Sequence, residues 1–101
     1  MNAERLTRRV RLRNKDGLNL RAAVLLSQVA RTFRCAIHIT CDGRCADAKN
    51  VWELIGLVAA PGCELILEAE GVRSEEALGR VGDVVADSFQ VSAKEYRDEM
   101  A

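Results

Sequence analysis

The segment Asn14-Lys15-Asp16-Gly17-Leu18-Asn19-Leu20-Arg21-Ala22-Ala23 holds the side chains best spaced for chemistry. It sets a carboxamide, Asn19, and a guanidinium, Arg21, where a glycine turn gives way to a helical pattern. A helix start leaves its first amides without intrahelical acceptors and carries the positive end of the peptide dipole. Asn19, Arg21 and Ala22 therefore form a candidate anion-binding site. Covalent chemistry is not expected there, because a carboxamide is neither basic nor usefully nucleophilic at neutral pH. Asn is also among the best N-cap residues, so its side-chain oxygen is expected to accept from the Arg21 or Ala22 amide. A second candidate lies in Asp47-Ala48-Lys49-Asn50-Val51-Trp52, where Asn50 precedes another helical run and reads as a cap.

Other reactive residues are poorly placed. His38, the chain's single histidine, sits in mid-strand on an exposed face with no helix start beside it in sequence. Ser74 reads as a helix cap, and Ser88 and Ser92 have no visible base partner. The cysteines at 35, 41, 45 and 63 contain no Cys-x-x-Cys pair, so metal spacing is poor and each reads as a small apolar residue rather than a staple. No residue set asks for a cofactor or a metal.

The elements that position these residues follow from periodicity. Residues 7–13 alternate, with Val10 and Leu12 on one face and Arg9, Arg11 and Arg13 on the other, and form a half-buried strand. From Leu20 to Arg34 the apolar set Ala22, Leu25, Leu26, Val29, Ala30 and Phe33 recurs at helical steps. Residues 36–41 alternate again, and Asp42-Gly43 predicts a tight hairpin into a short strand at 44–46. A second helix spans Asn50 to Ala60 and ends at Pro61-Gly62. Residues 63–70 alternate as the last strand up to Gly71. A third helix runs from a Ser74 cap through Ala77, Leu78, Val81, Val84 and Val85 towards Ser88 or Phe89, weakened by Gly79 and Gly82 unless close packing uses them.

The order βαββαβα fits an α+β domain with the last strand inserted antiparallel between the first two. That arrangement sets the Arg9/Arg11/Arg13 row beside Glu64, Glu68 and Glu70 on the open sheet face.

The two candidate segments resemble those of the HPr phosphocarrier family of the sugar phosphotransferase system. Gly17-Leu18-Asn19-Leu20-Arg21-Ala22-Ala23 is similar to that family's Gly-Leu-His-x-Arg-Pro-Ala. Asp47-Ala48-Lys49-Asn50-Val51-Trp52 is similar to its Asn-Ala-Lys-Ser-Ile-Met type segment. The resemblance implies an open-faced β-sandwich, a four-stranded antiparallel sheet in order 1-4-2-3 covered on one face by three helices. It implies one domain over residues 1–101, with a core at 5–92 and an extension at 93–101 that Tyr96 could anchor. It also implies that Asn19 stands at the phosphoryl-accepting His position and Ala22 at the Pro position. Arg21 matches the phosphate-holding Arg, and Asn50 stands at the regulatory Ser position found in many Gram-positive members.

Partners of the family dock on an apolar surface that maps here to Leu20, Val24, Ser27, Val51, Trp52 and Ile55. Trp52 then reads either as an exposed hot spot or as the lone Trp of the core. The expectation is a bacterial, non-phosphorylatable module that is no enzyme and binds a protein, such as a phosphotransferase-type or regulatory protein, with weak self-association open. The alternatives are phosphoryl transfer by another residue and a small-molecule-binding ferredoxin-like module.

Composition narrows the partners. In 101 residues, 15 basic side chains balance 15 acidic ones, so no net field draws the chain to nucleic acid or anionic lipid. No apolar run is long enough to span a membrane, and residues 1–9 lack an apolar signal core, so a cytoplasmic protein is expected.

Overall fold

The computed structural model describes residues 5–89. Its elements run β1 (Arg5–Arg11), α1 (Leu20–Arg31), β2 (Ala36–Cys41), β3 (Arg44–Asp47), α2 (Val51–Gly56), β4 (Glu64–Glu70) and α3 (Ser74–Ala86). The strands form one antiparallel sheet in the order β1-β4-β2-β3. This is the expected open-faced α+β sandwich. The inward residues of the strands, among them Val10, Ile37, Ile39, Leu65 and Leu67, meet Leu26, Leu54, Val81 and Val85 of the helices in one buried core.

Register explains the charge pattern on the open face. Arg11 lies opposite Glu64 and Thr7 opposite Glu68. The ion pairs are diagonal: Arg9 to Glu64 at 3.9 Å and Arg5 to Glu68 at 3.6 Å. Arg11 donates instead to the Gly62 carbonyl at 2.7 Å, and Arg13 lies beyond the strand. The first strand thus sits two residues earlier than its alternation suggested. Leu12 is buried outside the strand because its amide and carbonyl pair with Cys63 and Gly62 rather than with a ladder partner.

Three ends depart from the periodicity. The first helix stops at Arg31, not Arg34, where the Thr32 hydroxyl donates back to the Val29 carbonyl at 2.7 Å. The second stops at Gly56, and Val58 takes a left-handed conformation (φ 51°) that turns the chain well before Pro61. The third has its cap at Arg73, also left-handed (φ 59°), so Ser74 is a buried first-turn residue rather than the cap. Phe89 reaches the core after the helix has ended, through a backbone that is left-handed at Ser88 and Phe89.

Gly82 is used by close packing. A Cβ there would stand 2.4 Å from Arg8 Nη1, and that guanidinium also donates to the Gly79 carbonyl at 3.3 Å and pairs with Asp83 at 3.4 Å.

The reading of all four cysteines as unpaired apolar residues is corrected: Cys41 and Cys63 are disulfide-bonded, whereas Cys35 is buried and free and Cys45 is exposed and free. The register that pairs Thr40 with Ile66 brings the end of β2 to the start of β4, a proximity that spacing in the sequence could not reveal. The expectations for residues 90–101, including Ser92 and the extension with Tyr96, lie outside the described residues.

Candidate functional site at the start of the first helix

Glycine opens the site. Gly17 has φ +67°, and a Cβ on it would stand 2.5 Å from the Ala59 carbonyl oxygen. That oxygen accepts the Leu18 amide at 3.0 Å, so the loop lies directly on the chain that follows α2. Asn14 closes the same turn: its carbonyl accepts the Gly17 amide at 3.1 Å and its side-chain amide donates to the Gly17 carbonyl.

Asn19 then caps α1. Its backbone is extended (φ −80°, ψ −177°), its side-chain oxygen accepts the Ala22 amide at 2.9 Å, and its carbonyl accepts the Ala23 amide at 2.9 Å. Of the two amides expected as donors to the cap, the structure selects Ala22. Among the described residues the Leu20 and Arg21 amides have no acceptor, and Arg21 projects exposed with no ion-pair partner. An anion at this helix start would compete with Asn19 for the Ala22 amide. The first turn carries no acidic residue to oppose one.

The second segment is more tightly knit. The Asn50 side-chain oxygen accepts the amides of Trp52 (3.0 Å) and Glu53 (3.2 Å). Glu53 reaches back, accepting the Asp47 amide at 3.0 Å and the Asn50 side-chain amide at 3.3 Å. This is a reciprocal capping arrangement, and the Asn-x-x-Glu spacing of its two members is the signal in the sequence that marks it. Two ties at opposite ends orient α2 against α1: Arg31 Nε donates to the Lys49 carbonyl at 3.1 Å, and Leu18 donates to Ala59. The helices therefore run antiparallel, with the end of α2 near Asn19. Lys49 adds a bond from its ammonium to the Phe33 carbonyl at 2.7 Å, which no sequence signal announced.

The apolar residues of the expected docking surface divide clearly. Leu20 is 59% exposed and Trp52 79%, while Val24, Val51 and Ile55 are half-buried. Trp52 is thus no core residue. Ser27 is a correction: it is only 1% exposed, with its hydroxyl donating to the Val24 carbonyl at 2.9 Å, because its position on α1 faces inward with Ala23 and Ala30. His38 is exposed on β2, opposite Glu68 on one side and Asp47 on the other. No helix among the described residues is long and apolar enough to cross a membrane.

Comparison with known proteins places this arrangement. The family model described as PTS HPr component phosphorylation site matches residues 6–87. Phosphocarrier protein HPr of Cupriavidus necator is 33% identical over 76 residues, covering 75% of this chain and 85% of that one. The HPr-like protein Crh of Bacillus subtilis is 33% identical over 79 residues, covering 78% and 93%. The crystal structure of HPr from Bacillus anthracis superposes with a TM-score of 0.77 at 32% identity, covering 80% of this chain and 96% of that one.

Proposed function

This chain belongs to the HPr family of the phosphotransferase system, and on that premise we propose that it is a member without phosphocarrier chemistry, a cytoplasmic module that binds a protein partner and catalyses nothing. The observation that carries the reading is the capping of both helices. Asn19 and Asn50, which the motif resemblance puts at the phosphoryl-accepting and regulatory positions, each use their side-chain oxygen to hold their own helix start. A carboxamide neither gains nor loses a proton near neutral pH and has no lone pair basic enough to take a phosphoryl group.

Arg21 with Ala22 keeps only a weak claim on an anion, since Asn19 already takes the Ala22 amide. What such a module would retain is its surface: Leu20 projects from α1 and Trp52 from α2, with Val24, Val51 and Ile55 half-buried on the same two helices. An exposed aromatic among aliphatic groups is the usual anchor of a protein interface. A phosphotransferase-type or regulatory protein is the partner proposed. Self-association is a second reading, motivated by the swapped, intertwined dimer described for Bacillus subtilis Crh.

Two measurements test the proposal. Incubation with Enzyme I and phosphoenolpyruvate, or with HPr kinase and ATP, should leave the intact mass unchanged. A phosphoryl adduct on any residue, His38 included, would overturn it. Because the chain has a single Trp and it is largely exposed, its fluorescence reports docking directly. Titration with purified phosphotransferase proteins should shift the emission to the blue, and Trp52→Ala should cost more than ~2 kcal/mol of binding at little cost to stability. Unchanged affinity in that variant would remove Trp52 from the interface.

A further inference from the structure

The Cys41–Cys63 bond joins two parts of the fold that bear differently on the site. Cys41 is buried at the end of β2, just before the hairpin turn, and Cys63 is half-buried in the turn that enters β4. The backbone around Cys63 is the floor of the Gly17 loop. The Cys63 carbonyl accepts the Leu12 amide at 2.8 Å, and the Gly62 amide donates to the Leu12 carbonyl at 2.7 Å. A few residues earlier, the Ala59 carbonyl accepts the Leu18 amide and meets Gly17. Whatever holds Cys63 therefore holds the floor on which the chain enters α1. With the bond in place the two Cα atoms stand 7.2 Å apart, and the end of β2 is covalently tied to this floor.

We propose that Cys41 and Cys63 are a reversible dithiol–disulfide pair whose oxidation fastens the floor of the Gly17–Arg21 loop to the β2–β3 hairpin. The oxidant is a low-molecular-weight disulfide such as oxidised glutathione. The Cys63 thiolate, the more accessible of the two, attacks one sulfur of that disulfide and releases one small thiolate, leaving a mixed disulfide on Cys63. The Cys41 thiolate then attacks the Cys63 sulfur and releases the second. Two protein thiols lose two electrons, the small disulfide is reduced to two thiols, and the protons shed by the cysteines end on those thiols. Cys45, exposed on β3 and unbonded, exchanges with the same small disulfide but has no protein sulfur bonded to it, so it is the internal control for a simple mixed disulfide.

The test uses the full chain, equilibrated in glutathione buffers of graded redox ratio, acid-quenched, alkylated and mapped by mass spectrometry. Oxidising buffers should yield a peptide linking Cys41 to Cys63, lighter by two hydrogens than its two reduced parts, with Cys45 either alkylated or carrying one glutathione. In the oxidised form the Leu18 amide should exchange its hydrogen at least about tenfold more slowly, and thermal unfolding should rise on the order of 10 °C. Cys63→Ser should abolish both differences. Absence of the Cys41–Cys63 peptide at every ratio, or equal Leu18 exchange in the two wild-type forms, would overturn the proposal, and neither reading depends on the variant folding.

Discussion

Gly17→Ala separates two reasons for a glycine, and the structure supplies a partner for comparison. Gly17 (φ +67°) and Gly43 (φ +82°) both lie in the left-handed region, where an L residue costs about 1–2 kcal/mol. They differ in what surrounds them. Around Gly43 nothing stands within 4 Å of a new Cβ, so Gly43→Ala should cost the conformational term alone. At Gly17 the new Cβ would meet the Ala59 carbonyl oxygen at 2.5 Å and Pro61 Cδ at 3.3 Å. That carbonyl is backbone and holds the Leu18 amide, so relief requires the loop to lift and this hydrogen bond to lengthen. A net loss of about 1 kcal/mol for the bond, added to the conformational term, places Gly17→Ala at ~2–3 kcal/mol. Alanine also removes about 0.4–1 kcal/mol of unfolded-chain freedom, but equally in both variants, so it cancels in the difference.

Urea unfolding of both variants, in one redox buffer, should show Gly17→Ala costing at least ~1 kcal/mol more than Gly43→Ala. That gap corresponds to about 4–8 °C in melting temperature for a domain of this size. Leu18 amide exchange should speed up in the Gly17 variant only. Equal losses in the two variants would refute the close approach of the Gly17 loop to Ala59.

Asn50→Ala should cost about 1–2 kcal/mol and expose the Trp52 and Glu53 amides to exchange, whereas Asn50→Ser should keep most of the cap. Unchanged exchange at both amides would show that Glu53 alone holds the helix start. The Glu76 carboxyl is held below the ordinary carboxylate range chiefly by its hydrogen bonds from Arg73, with the guanidinium charge adding to them. What this exposed pair contributes is therefore present above the ordinary carboxylate value and lost as pH falls through the lowered one. A carbon NMR titration should place the Glu76 midpoint below that of the same residue in Arg73→Gln, and coincident midpoints would show the pair does not persist in solution.

The elements and the capping chemistry are legible in local sequence. Alternation at residues 36–41 and 64–70 and helical steps at 22–30 are local consequences of which side chains must leave water, so they survive without knowledge of neighbours. Asn19 and Asn50 were readable as caps for the same reason, since a cap bonds amides only two or three residues ahead. The exposed Trp52 and the buried Ser27 were not decided locally. Each depends on how α2 is tied against α1, through Arg31 to Lys49 and Leu18 to Ala59, contacts between residues far apart in the chain. The cap at Arg73 and the turn at Val58 just after α2 rest on left-handed backbone at non-glycine residues, which propensity disfavours and only tertiary packing sustains. The Cys41–Cys63 bond follows from strand register, because β4 enters the sheet beside β2 rather than beside its sequence neighbour β3. Local chemistry is written in short spacings, whereas the proximity of distant residues is set by which hydrophobic faces find each other.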